Sequence, residues 1–229
     1  MSLDVGLAWV QLATTSALLA ILIYRGVYRR LPFFCAYLGY EWCNGLAVMT
    51  LSYSLSTAAY LRIYLASLIF DTLLEFAVLW ELGRVVLLFS RARAPRRWML
   101  LLLLSVATLL VWSLAAWSAP QDTSKLYQLY VHWRQGSAIL QVAILLAIAW
   151  WNRMQALHWP DEALQVAAGI GFYSIVELAV NIAHTRQSYG MAYQYLDQAA
   201  ALCYLGTVSY WVLTFSSKGD KRRKIAAQI

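Results

Sequence analysis

Apolar residues occur in seven long runs separated by short polar connections. The runs cover approximately residues 5–24, 32–53, 61–89, 98–118, 126–151, 161–185 and 191–215. An α-helix rises about 1.5 Å per residue, so each run is about long enough to cross a hydrocarbon layer of roughly 30 Å. The four prolines lie at the starts of runs or in connections, where a missing N–H group costs little. The pattern predicts an all-α polytopic membrane protein with seven transmembrane helices.

The composition supports this class of protein. Hydrophobic residues make up 62% of the chain and charged residues 13%, and the mean hydropathy is +0.57, far from the average of a soluble domain. The net charge of +7 comes from short basic clusters between the apolar runs, which favours a role in membrane orientation and argues against nucleic-acid binding. All three cysteines lie within apolar runs, so no disulfide framework is predicted.

The distribution of lysine and arginine predicts the orientation. Thirteen of them lie in connections on one side, at 25–30, 91–97, 153 and 218–224, whereas only Arg62, Lys125 and Arg186 lie on the other. The positive-inside rule then places the N-terminus outside and the C-terminus in the cytoplasm of a multi-pass protein of the inner (plasma) membrane. We expect residues 1–215 to form the transmembrane domain and residues 216–229 a basic cytoplasmic tail that touches anionic lipid. No basic residue precedes the first run, which predicts a retained span and not a cleaved signal peptide.

Tryptophans near the cytoplasmic ends of the runs are expected to anchor the protein at the membrane surface. They are Trp98, Trp150, Trp151, Trp159 and Trp211.

Acidic residues inside the apolar runs are the main functional signal. The six acids are Glu41, Asp71, Glu75, Glu81, Glu177 and Asp197. Only two arginines, Arg84 and Arg134, lie within the runs to balance them. Charge is expensive in a membrane, so some of these acids must be protonated, hydrated or bound to a cation.

Helical spacing groups the polar residues into stripes that can face a shared interior. The candidate residues for ligand, ion or proton binding are Tyr37, Glu41, Asn44, Asp71, Glu75, Arg134, Tyr173, Glu177, Asn181 and Asp197. Arg134 would be the counter-charge, and His132 with His184 an outer gate or pH-sensitive element. In a purely structural alternative, Arg134 neutralises Glu177 or Asp197, Glu81 pairs with Arg84 along one helix, and the other polar groups make hydrogen bonds between helices.

Three cofactor chemistries can be compared with the sequence. A retinal pigment needs a lysine in the last span, and none is present there. A metal-dependent hydrolase could use His132 and His184 with Glu177 or Asp197, although no H-E-x-x-H motif occurs. The same two histidines could ligate a haem. We predict no cofactor, and we keep the outer-leaflet metal hydrolase as an alternative.

The sequence also contains signs of an internal repeat. The second run carries Tyr37, Glu41 and Asn44, the sixth carries Tyr173, Glu177 and Asn181, and an aspartate follows in the third and seventh. This arrangement predicts a parallel repeat of three helices, one helix and three helices.

Such an organisation is similar to that of the sugar-transporting PQ-loop family, which has the same orientation. That family's Pro-Gln signature is absent because no run has an internal proline, so its sugar site is not carried over. The third run, with Arg62, Tyr64, Glu75, Trp80 and Glu81, resembles uncharacterised bacterial seven-helix membrane proteins, a resemblance that implies no activity.

The sequence therefore predicts an integral membrane module whose acidic interior binds a small ligand, a cation or protons for sensing or transport. The alternatives are the metal hydrolase and a structural accessory subunit of a membrane complex. Expected partners are the lipid bilayer, anionic lipid at the tail, and either further copies of the chain or another membrane subunit.

Overall fold

The described part of the chain is entirely α-helical apart from its connections. In the computed structural model, the described residues are 3–51, 57–88, 125–154, 161–186 and 191–226, with side chains described for 5–50, 63–85, 133–150, 161–184 and 194–217. The helices are α1 (Leu3–Tyr24), α2 (Pro32–Leu51), α3 (Thr57–Leu88), α4 (Lys125–Met154), α5 (Asp161–Arg186) and α6 (Met191–Ala226), and a short 3₁₀ helix covers Val27–Arg29.

Five of these six helices are long and apolar enough to cross a membrane. Helix α2 is not one of the five, because Glu41, Asn44 and its tyrosines lower its hydropathy. These helices fit a multi-pass membrane protein and confirm the all-α class. The predicted span at 98–118 lies outside the described residues, so the count of seven spans, the orientation and the repeat stay predictions.

Helix ends differ from the predicted runs in two places. Helix α3 begins at Thr57, four residues before the apolar run. Helix α6 continues to Ala226, well past the apolar run that ends near residue 215, so most of the predicted tail is helical. A helix is continued by its own backbone hydrogen bonds, which charged residues in water do not interrupt.

The connection between α1 and α2 is compact and has a defined geometry. Gly26 has a φ of 66°, in the left-handed region that glycine adopts without steric cost. The 3₁₀ turn follows it, and Pro32 opens α2, where its fixed φ suits the first helical position.

The described chain divides into two compact units. Unit 1 contains the chain up to Glu81 together with the part from Tyr204 onward. Its core follows helical spacing along each element: Leu18 and Leu22 on α1, Leu31 before α2, Phe34 and Leu38 on α2, Val78 and Leu79 on α3, and Val208, Trp211 and Phe215 on α6.

Unit 2 contains residues 82–203 and is centred on the pair formed by α4 and α5. The two helices are antiparallel, since contacts early in α4 are made to residues late in α5. The α4–α5 interface is close, because the position of a Cβ on Gly171 would lie 3.7 Å from a methyl group of Leu145. The buried apolar residues of these two helices include Ala138, Ile144, Ala163 and Val166.

Candidate functional site

Among the described acidic side chains of unit 1, Glu81 has an environment of its own. Its carboxylate is buried and accepts hydrogen bonds from the backbone N–H groups of Phe33, at 3.1 Å, and Phe34, at 3.0 Å. These groups belong to the first turn of α2, where backbone donors have no partner within the helix. A carboxylate at a helix N-terminus also interacts favourably with the helix dipole. Glu81 is therefore a cap that α3 supplies to α2.

The side chain of Phe34 also connects α2 to α6. Phe34 and Trp211 pack edge to face, with ring centroids 5.0 Å apart. Trp211 is only 2% exposed, so the prediction that it anchors the protein at the membrane surface is wrong. Its helical position turns the indole inward because it shares a face with Val208 and Phe215.

Three other acids of unit 1 interact electrostatically with two buried tyrosines, and we call Tyr37, Glu41, Asp71, Glu75 and Tyr204 the tyrosine–carboxylate cluster. The Tyr37 hydroxyl is buried within electrostatic range of the three acidic side chains and of Tyr204. The Tyr204 hydroxyl is also buried, interacts electrostatically with the same three acids, and lies near Thr15 on α1. The three acidic residues themselves are half-buried.

A hydrogen-bonded group joins α2 to α3 beside this cluster. The Tyr40 hydroxyl lies 2.8 Å from the carbonyl oxygen of Ser67 and 2.7 Å from its Oγ. The Ser67 hydroxyl donates to Asn44 Oδ1 at 2.8 Å. Asn44, which the sequence assigned to the acidic interior, thus takes part in a contact between helices. Tyr40 is nevertheless within electrostatic range of Asp71 and Glu41, so the two groups are adjacent.

In the described part of unit 2, Arg134 and Glu177 form an ion pair. Arg134 Nε donates to Glu177 Oε1 at 3.2 Å, and the two side chains are 27% and 17% exposed. Two helical turns further along α4, Gln141 Oε1 accepts a hydrogen bond of 3.0 Å from the buried Ser174 hydroxyl. Of the two acids that the sequence offered as partners for Arg134, the structure pairs it with Glu177.

Asp197 has a different partner. Its Oδ1 lies 3.6 Å from Nε2 of His184, and its side chain is 54% exposed, more than the sequence suggested for an acid within a span. On the same helix, Asn181 is buried one turn before His184, and Tyr173, at the middle of α5, is half-buried. The equivalent positions proposed for a repeat therefore differ in environment, since Glu41 lies among acids and Glu177 lies against an arginine.

The metal hypothesis receives no support from the described side chains. Among them, no three histidine, cysteine, aspartate or glutamate residues are close enough together to hold a metal ion. The side chain of His132 lies outside the described part of the chain, so the proposed pairing of His132 with His184 stays a prediction.

Sequence reasoning missed the partners of Glu81 and the part played by Ser67 and Thr15. The available signal for Glu81 was Pro32, which marks the start of a helix whose next N–H groups need an acceptor. No protein-family model, curated protein or solved structure matches this chain.

Proposed function

We propose that this protein is a multi-pass membrane module whose tyrosine–carboxylate cluster takes up and releases protons, for transport or for sensing. One observation carries the proposal: three acidic residues from α2 and α3 are within electrostatic range of the same two buried tyrosine hydroxyls. Ionisable residues inside spans are costly and are most often kept for function.

The physical basis is the repulsion between like charges that act on the same two hydroxyl groups in a region of low polarity. Carboxylates that interact strongly do not ionise independently, and a bound proton or cation relieves their repulsion. Tyr37 and Tyr204 supply hydroxyl groups that can donate to a carboxylate or pass a proton on.

Proton flux in proteoliposomes tests the transport version. The purified protein is reconstituted with an entrapped pH-sensitive dye, and a potassium diffusion potential drives proton entry. We expect the flux to fall at least tenfold, an effect of about 1.4 kcal/mol or more, in Glu41→Gln and in Asp71→Asn. The control is Asp161→Asn, which removes an exposed carboxylate from the first turn of α5 in unit 2. Glu177→Gln, in a separate sample, tests whether the pair in unit 2 takes part.

Infrared difference spectroscopy tests the sensing version, which requires proton uptake without flux. A pH step should produce a carboxylic acid carbonyl band that Glu41→Gln or Asp71→Asn reduces and Asp161→Asn leaves intact. The proposal is wrong if the wild-type protein shows neither flux nor such a band, or if both signals persist in the two cluster variants.

The structural accessory subunit is the second candidate, and it has an observation in its favour. The carboxylate of Glu81 and the Tyr40, Ser67 and Asn44 group all hold helices together. If the cluster has the same task, neutralising Glu41, Asp71 and Glu75 together should destabilise the protein. If the cluster binds protons, the triple variant should keep or gain stability and lose flux.

A further inference from the structure

Two basic segments that are far apart in sequence meet at one end of unit 1. Helix α1 ends at Tyr24 and the apolar part of α6 ends near Ser217. Arg25, directly after α1, donates from Nη2 to the backbone carbonyl of Ser216 at 2.5 Å. This bond shows that the ends of the two apolar segments lie side by side.

The first segment is the short connection after α1. It contains Arg25, Arg29 and Arg30, and the side chains of Arg29 and Arg30 are exposed. Arg29 donates from Nε to the Tyr28 hydroxyl at 3.2 Å and lies over the ring, with its guanidinium carbon 5.7 Å from the ring centroid. Tyr28 and Tyr24 are themselves exposed, at 43% and 79%. Exposed tyrosine beside arginine at the end of a span is the composition of a membrane–water interface.

The second segment is the helical extension of α6. Beyond Ser217 the helix continues to Ala226 and carries Lys218, Lys221, Arg222, Arg223 and Lys224, against the single acid Asp220. Helix α6 is continuous through this point, so the basic residues follow directly after the residue that Arg25 binds. A disordered tail would distribute the same charge over a much larger volume.

We propose that residues 25–30 and 218–224, which we call the basic end, form one binding surface for the headgroups of anionic phospholipids. The surface combines eight basic residues, exposed tyrosines and the end of an apolar span, and anionic headgroups attract clusters of this kind immediately outside a membrane. Arginine is well suited to the task because its planar guanidinium can bind a phosphate group through two parallel hydrogen bonds.

The position of Glu81 shows which groups would hold the lipid phosphate. A helix N-terminus is often an anion site, and α2 begins only two residues after Arg30. In this protein the carboxylate of Glu81 already occupies the Phe33 and Phe34 donors. The headgroup therefore has to be bound by the basic side chains of the two segments and not by the start of α2.

Native mass spectrometry of the full-length protein in detergent tests the proposal. Phosphatidylglycerol and phosphatidylcholine are titrated separately, and the dissociation constant of each bound lipid is measured. We expect phosphatidylglycerol to bind more tightly, with a loss of about fivefold in affinity for each basic residue removed. The variants are Arg29→Gln with Arg30→Gln, and Lys221→Gln with Arg222→Gln. Because the surface is shared, either pair of changes should weaken the same bound lipid.

A matched control removes two positive charges elsewhere. Lys125 begins α4 and Arg186 ends α5, so in this antiparallel pair they lie at the same end of unit 2. Lys125→Gln with Arg186→Gln should leave the affinity for phosphatidylglycerol unchanged, and circular dichroism melting should confirm that all three variants are folded. Equal binding of the two lipids, or unchanged affinity in both basic-end variants, would overturn the proposal. Displacement of the lipid by an equal concentration of inorganic phosphate would identify a site for soluble anions and would overturn the lipid assignment.

Discussion

The capping of α2 by Glu81 gives the sharpest stability prediction. The Phe34 hydrogen bond is buried and the Phe33 bond is partly buried, and each uses one oxygen of the same carboxylate. Replacement of Glu81 by glutamine keeps one acceptor oxygen, which can serve Phe34, and turns an amide NH₂ toward the Phe33 donor. Replacement by alanine removes both acceptors and leaves the first turn of α2 without them.

The magnitudes follow from the cost of each lost bond. A hydrogen bond to a charged group contributes about 1.5–3 kcal/mol, and the partly exposed Phe33 bond belongs at the lower end of that range. We therefore expect Glu81→Gln to lower the free energy of unfolding by about 1–2 kcal/mol. Glu81→Ala should lower it by about 3 kcal/mol or more, because it also leaves a buried donor unsatisfied and creates a cavity.

The assay is unfolding in mixed micelles, in which dodecyl sulfate is added to protein in a mild detergent and the loss of helix is followed by circular dichroism. Arg84→Gln is the control, since Arg84 is an exposed charged residue one turn further along α3. Its effect should stay within about 0.5 kcal/mol, as for other surface substitutions. If both Glu81 variants were as stable as the Arg84 variant, the carboxylate would not be a cap and the reasoning would fail.

Two further predictions concern the helix pair of unit 2 and the connection after α1. In a double-mutant cycle, Arg134→Gln and Glu177→Gln should show a coupling energy on the order of 1 kcal/mol, because the pair is less than one-third exposed; additive effects would mean that the 3.2 Å contact contributes nothing. Gly26→Ala should destabilise the protein by about 1 kcal/mol through its left-handed φ of 66°, although nothing lies within 4 Å of the added Cβ. Gly39→Ala is its control, since the new Cβ also meets nothing within 4 Å. Gly39 lies in a helix, where alanine is favoured over glycine by about 1 kcal/mol. Equal effects on stability at the two positions would contradict the argument from φ.

The polar residues show which contacts can be predicted from the spacing of side chains along one helix and which cannot. The shared face of Tyr37 and Glu41, and that of Asp71 and Glu75, follow from helical spacing alone, and the structure brings both faces to the same tyrosine. Spacing did not reveal that Asn44 binds Ser67, nor that Asp197 is half-exposed beside His184. Those outcomes depend on which neighbouring helix each side chain contacts, and at which position along the axis of that helix.

The partner of a charge is likewise a property of the fold. From the sequence, Arg134 could neutralise either Glu177 or Asp197, and only the antiparallel register of α4 and α5 selects Glu177. Glu81 could pair with Arg84 three residues away, but its carboxylate reaches the start of α2, 47 positions away at Phe34. Trp211 is of a residue type that often anchors a protein at the membrane surface, but it is buried against Phe34.

The sequence by itself determined the helical class and most helix bounds, because long apolar runs and backbone hydrogen bonding within a helix are local properties. It also determined which residues share a face of each helix. Only the tertiary structure decided which acids cap, which pair with a cation and which gather around tyrosines, since these contacts join residues far apart in the chain. Their energies depend on distance and burial, and neither is encoded in the spacing along a single helix.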